Sequence, residues 1–84
     1  MQYVYILKSL YDSNLYVGCS HDLKKRLALH NSGKVVSTRN RIPLKLIYYE
    51  AYLHKMDAFE RERFMKSGWG KRFIKKNLKH YFRD

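Results

Sequence analysis

The sequence predicts one mixed α and β domain spanning residues 1–84, with its elements in the order β-β-α-β-α-α. Three observations predict it. Residues 2 to 8 and 15 to 19 alternate with the period-two pattern of half-buried strands. Three later segments place apolar residues at three- and four-residue spacing, as helices do. The composition, 45% hydrophobic over 84 residues, supplies one core. A chain of this length buries only about 60–65% of the surface its unfolded form exposes, which excludes a second domain.

Along the first strand Tyr3, Tyr5 and Leu7 alternate with Val4, Ile6 and Lys8; along the second Leu15, Val17 and Cys19 alternate with Tyr16, Gly18 and Ser20. Asp12-Ser13-Asn14 between them supplies turn formers, so the pair closes as an antiparallel hairpin. A helix of about ten residues follows, with Ser20 as its cap, Asp22 in its first turn and Asn31-Ser32-Gly33 as its stop. Leu23, Arg26, Leu27 and His30 fall within an arc of about 100°. An arginine and a histidine therefore share the face that the leucines turn inward.

Residues 34 to 43 read as a basic, polar loop, and Leu44 to Tyr52 as a third strand. A second helix opens at Met56 or Asp57 and runs to Lys66. On it Ala58, Glu62 and Met65 are neighbours and Glu60 lies opposite, which turns Glu62 inward. Ser67-Gly68-Trp69-Gly70 breaks this helix, with Trp69 expected to pack the junction. A third helix runs from about Lys71 to Phe82, packs through Phe73, Ile74, Leu78 and Tyr81, and leaves Arg72, Lys75, Lys76, Lys79 and Arg83 to solvent or phosphate.

Eighteen Lys and Arg against seven Asp and Glu give a net charge of +11. Such an excess points to a polyanionic partner, and the eight Tyr, four Phe and one Trp interleaved with the cations favour nucleic acid over a membrane surface. The same aromatic content excludes a disordered basic tail. Apolar runs of four or five residues exclude a membrane span. The N-terminus enters a strand pattern without a secretory leader, so a cytoplasmic protein is expected. Cys19 has no cysteine partner, and no Cys/His pair has zinc-site spacing. His21, His54 and His80 read as surface residues.

Five motifs stand in order: Tyr3-Val4-Tyr5, Tyr16-Val17-Gly18, Asp22-Leu23-x-x-Arg26-Leu27-x-x-His30, Leu46-Ile47-Tyr48-Tyr49-Glu50 and Ala58-x-x-x-Glu62-x-x-x-Lys66. Together they resemble the GIY-YIG nuclease superfamily, in particular small stand-alone bacterial members similar to the N-terminal catalytic domain of the excision-repair endonuclease subunit. The resemblance implies a three-stranded antiparallel sheet flanked by about three helices. It also implies hydrolysis of a DNA phosphodiester with one divalent ion, Mg²⁺ or Mn²⁺, and no small-molecule cofactor. The composition agrees, because two-metal phosphodiesterases need several converging carboxylates and this chain has only seven acids.

By the same resemblance Glu62 is the metal ligand, with water and a phosphate oxygen completing the octahedron. Arg26 grips the scissile phosphate with its planar fork. Tyr16 helps activate the attacking water, and Tyr5 orients that water or the phosphate. A free tyrosine titrates near pH 10, so a base role needs a cation that favours phenolate or a proton acceptor such as His30. His30 reads either as that acceptor or phosphate contact, or as a partly buried structural histidine. Gly18 reads as a gap through which a phosphate approaches the backbone, or as a bulge.

Lys24, Lys25, Lys34, Thr38, Arg39 and Arg41 make up the expected phosphate-binding surface. Five to seven such contacts give a log-affinity slope of about −4 to −6 against log salt. Three positions depart from the family pattern: Tyr3 replaces the first Gly, Cys19 stands where several repair relatives carry Lys, and Asn77 lies too far after Glu62 to match a late asparagine. The reading is a monomeric, metal-dependent DNA endonuclease acting in repair or on branched or foreign DNA, with RNA offering the same phosphate. The alternatives are a non-catalytic nucleic-acid-binding module that keeps the fold, and an adaptor for acidic proteins.

Overall fold

A computed structural model describes residues 1–83. Three strands, β1 (Gln2–Ser9), β2 (Leu15–Ser20) and β3 (Leu44–Tyr52), form one antiparallel sheet in the order β2-β1-β3. Four helices accompany it: α1 (Leu23–Asn31), α2 (Lys55–Lys66), α3 (Gly68–Asn77) and α4 (Lys79–Arg83). The expected order holds, except that the last expected helix is two.

Because β1 is the central strand, both of its faces are buried. Val4 and Ile6 pack with Ala58 and Met65 of α2 and Ile74 of α3, while Tyr5 and Leu7 pack with Leu44 and with Leu23 and Leu27 of α1. The sheet is thus a layer between α1 on one side and α2 and α3 on the other. A bulge opposite Ile6 and Leu7 lets both Ile47 and Tyr48 of β3 join the α2 side.

The helix caps differ from expectation in ways that side-chain chemistry explains. Asp22, rather than Ser20, caps α1, its carboxylate accepting the Lys25 amide at 3.0 Å; Ser20 Oγ accepts the Asp22 amide one turn earlier. His54 caps α2 through Nδ1, which accepts the Met56 amide at 3.1 Å. Between α2 and α3 the break is Ser67 alone. Its hydroxyl donates to the Phe64 carbonyl and accepts the Gly70 amide, closing one helix and opening the next.

That joint is tight because Gly70 has no side chain: a Cβ there would collide with the Met65 backbone and the Phe64 carbonyl. Gly70, not Trp69, therefore packs the junction. Trp69 is 68% exposed, with the Arg72 guanidinium 4.6 Å above its ring. Tyr81 likewise does not join the core; it is exposed and carries Lys8 and Lys45 against its ring at 5.5 and 5.9 Å. Among the described residues no helix is long and apolar enough to cross a membrane.

Candidate active site

The strand register builds the site. Tyr5 faces Gly18 across the β1–β2 pair, and Tyr16, two residues earlier on β2, lies opposite Leu7 on the same face. Over this face α1 lays Arg26 and His30, one turn apart. The rings of Tyr5, Tyr16 and His30 form a three-way cluster, with centroids 6.5 Å apart for the tyrosines, 5.7 Å for Tyr5 and His30, and 5.1 Å for Tyr16 and His30.

Gly18 has a different purpose from the phosphate gap expected. A Cβ at that position would collide with the Tyr5 hydroxyl and Cζ. The space is filled by the phenol of Tyr5, so the glycine admits a tyrosine from the neighbouring strand.

His30 is fully buried and both its nitrogens are engaged: Nε2 lies 2.8 Å from the Tyr5 hydroxyl and Nδ1 2.7 Å from Thr38 Oγ1. Burial, and secondarily the Arg26 guanidinium, hold its pKa below the ordinary 6.5. The ring is therefore neutral near pH 7, one nitrogen donating and the other accepting. Enclosed in this way, it is not open to a phosphate. Thr38, placed by the sequence on the phosphate-binding surface, is itself 0% exposed. The loop turns it inward because His30 needs a second partner, a requirement that the sequence pattern does not display.

Burial pushes the Tyr5 hydroxyl above its ordinary value of 10.0, with the Arg26 guanidinium pulling the other way and the charges of Tyr16 and Glu62 adding to the rise. Tyr5 is thus held as a neutral phenol. Tyr16 stands outside the Tyr5–His30–Thr38 chain, and its hydroxyl accepts only a long 3.5 Å contact from Ser37 Oγ.

Arg26 is only partly exposed, and its Nε is a buried donor with no hydrogen-bond partner. Leaving such a donor unpaired costs about 1–3 kcal/mol, more for a charged group.

On α2 Glu62 faces partly inward and Glu60 is exposed, as the helical spacing predicts. Lys66 Nζ lies 3.2 Å from the Glu62 carboxylate. Cys19 stands nearby: burial raises its thiol pKa, and the Glu62 charge adds to the rise. Among the described residues no three His, Cys, Asp or Glu side chains converge as a metal cage. A lone carboxylate such as Glu62 could hold one hard cation only with water or substrate oxygens beside it.

Of the expected phosphate-binding cations, Lys24, Lys25, Lys34 and Arg39 are exposed. Arg41 is not free for that use. Its Nε donates to Asp12 at 2.9 Å, its terminal nitrogen reaches the Leu15 carbonyl at 3.4 Å, and its own carbonyl accepts from Ser9 Oγ at 2.6 Å. These bonds tie the loop to the hairpin.

The tyrosine pair of β1 and β2, the α1 arginine and the α2 glutamate follow one another in that order along the chain. The family model for the GIY-YIG catalytic domain matches residues 1–79. The chain belongs to the GIY-YIG family.

Its relatives agree with that membership. A UPF0213 protein of Streptococcus pyogenes serotype M3 is 46% identical over 65 residues, covering 76% of this chain and 70% of its own. A UPF0213 protein of Clostridium perfringens is 45% identical over 67 residues, covering 79% and 71%. No solved structure gives a significant match. GIY-YIG domains form a nuclease-type hydrolase family.

Proposed function

We propose that this chain is a metal-dependent endonuclease that hydrolyses DNA phosphodiester bonds, in repair or in processing branched or foreign DNA. The observation that supports it most is the unpaired, buried Nε of Arg26 on the face that carries Tyr16. Among the described residues the Arg26 guanidinium has no carboxylate partner, so its charge is left to a phosphate.

In this reading Arg26 binds the scissile phosphate and offsets the negative charge that builds on its oxygens in the transition state. The Tyr16 hydroxyl accepts a hydrogen bond from the attacking water. As the water oxygen bonds to phosphorus, its proton passes to the Tyr16 oxygen while the tyrosine's own proton leaves to solvent; the P–O bond to the leaving oxygen breaks, and that oxygen takes a proton from solvent. Tyr5 stays neutral and fixes the geometry. His30 and Thr38 act through Tyr5 as positioning residues. Glu62 would hold one Mg²⁺ or Mn²⁺, which when bound supplies charge neutralisation and polarisation of a phosphoryl oxygen. Lys24, Lys25, Lys34 and Arg39 contribute sequence-independent phosphate contacts.

One observation favours the second reading, a non-catalytic nucleic-acid-binding module: the Glu62 carboxylate is already paired with Lys66. The two readings separate on a panel of labelled duplex, flap, branched and single-stranded DNAs in Mg²⁺ or Mn²⁺. The nuclease reading expects cleavage that Glu62→Ala abolishes while retaining DNA binding. Binding without cleavage by either protein supports the module.

A further inference from the structure

At the hairpin end of the sheet, a cavity of about 360 Å³ is lined by Lys8 of β1, Ser13, Asn14 and Leu15 of the turn and β2, Lys71 and Lys75 of α3, and Phe82 of α4. Three lysines line it and, among the described residues, no carboxylate does. Lys8 is directly opposite Lys45 across the β1–β3 pair, and both lie against the Tyr81 ring. Like charges placed opposite each other on a sheet cost stability. Among the described residues none of Lys8, Lys45, Lys71 and Lys75 forms an ion pair. Cations concentrated against their own repulsion, from two sides of one cavity, mark a site for an anion.

The cavity shares two lining residues, Leu15 and Lys71, with a neighbouring one. Lys71 lines a second cavity, of about 220 Å³, whose walls include Tyr16, Val17 and Lys66. Lys66, Lys71, Lys75 and Lys8 thus line two neighbouring cavities that both include residues of the edge strand β2. They lie apart from the α1 and loop cations Lys24, Lys25, Lys34 and Arg39, which the sequence alone selects.

We infer that the Lys8–Lys71–Lys75 cavity is a second phosphate-binding site, which holds the nucleic-acid backbone away from the scissile phosphate and leads the strand along the β2 edge. The inference rests on the nuclease reading for its substrate, but its test does not depend on cleavage. Asn14 and Ser13 add neutral donors at the same rim. Side-chain ammonium, amide and hydroxyl groups that contact phosphates fix the path of a strand and read no sequence, so the site serves position rather than base recognition.

The test uses the full chain carrying Glu62→Gln, titrated with a labelled duplex oligonucleotide over a range of salt concentrations. Adding Lys71→Ala and Lys75→Ala is expected to weaken binding roughly 10- to 100-fold at 0.1 M salt and to flatten the log-affinity slope by about 1.8. Lys55→Ala with Lys76→Ala, two exposed lysines outside the cavity, is the control and is expected to move the slope much less. Equal effects of the two pairs, or no effect of the cavity pair, overturn the assignment. Cleavage by the Glu62 protein reports separately on the nuclease reading. A flattened slope in a chain that never cuts retains this site and removes that reading, whereas cutting with an unchanged slope does the reverse.

Discussion

Gly18 stands directly opposite Tyr5 in the β1–β2 pair, and the Tyr5 phenol occupies the space that a side chain on Gly18 would need. From that position its hydroxyl meets His30 Nε2 at 2.8 Å. The two family triplets are thus joined by a steric requirement: the glycine of the second seats the tyrosine of the first.

Gly18→Ala is therefore expected to destabilise the chain by about 1–3 kcal/mol, the usual cost of forcing extra volume into a packed site. Combined with Tyr5→Leu, which removes the ring, the cost should be well below the sum of the two single costs. Urea titration of the four proteins checks this. Simple additivity would place the clash elsewhere.

Arg26→Met removes a buried donor that has no partner, so the variant is expected to match or exceed the stability of the wild type. Cleavage should fall by about 10²–10³, the effect of losing a transition-state donor. Thermal melting and single-turnover cleavage on the same samples test the pair. A less stable variant with unchanged cleavage would make Arg26 a packing residue.

The neutral His30 gives a pH signature. Its folded pKa is lowered by burial first and by Arg26 second, so the stability it contributes is present above its unfolded value near 6.5 and is lost as pH falls through the lower folded value. NMR should show the His30 ring titrating below pH 6.5, and Thr38→Val should change that ring's chemical shifts. A His30 midpoint above 6.5 would contradict the enclosed chain.

Another cluster sets stability at both ends of the pH range. Glu50 accepts hydrogen bonds from Tyr48 at 2.6 Å, Tyr52 at 2.7 Å and Arg61 Nε at 2.8 Å. Arg61 also lies within 5 Å of the Phe64 and Phe73 ring centroids, at 4.8 and 4.7 Å. Burial pulls the Glu50 carboxyl up, but Arg61 and the two hydroxyls outweigh it and hold it below the ordinary 4.5. Its contribution is present above that value and lost as pH falls through the lower folded one. Tyr48, pushed up to about 12 mainly by burial and then by Glu50, stabilises below pH 10 and loses that effect between about 10 and 12. Glu50→Gln should flatten the acid limb of stability against pH, measured by chemical denaturation.

How much of this was legible follows from which interactions are local. Strand alternation and helical spacing are short-range patterns, so the hairpin, β3 and the positions of Tyr5, Tyr16, Arg26 and Glu62 could be read from them. Partners distant in sequence could not. Thr38 looks like any polar loop residue, and only the fold shows that it completes His30; Arg41 looks like a free cation until the hairpin brings Asp12 to it. Gly18 carried a true signal, the absence of a side chain, whose meaning depended on the strand opposite. The Glu50 cluster also left a trace: Tyr48, Glu50 and Tyr52 share one face of β3 by their two-residue spacing, with an arginine on the next helix. The Ser67 joint and the exposed Trp69 are not legible locally, because Gly-Trp-Gly suggests a break, whereas close helix packing lets α3 begin within it.

The most direct test of the central claim is single-turnover nicking of supercoiled plasmid in Mg²⁺ by wild type, Tyr16→Phe and Glu62→Ala, with DNA binding measured on the same preparations. The account predicts nicking by the wild type, a loss of at least about 10² in rate for each variant, and binding retained by all three. Equal nicking by wild type and Tyr16→Phe would contradict the assignment of Tyr16 to the attacking water, and equal binding with no nicking by any of them would contradict the nuclease itself.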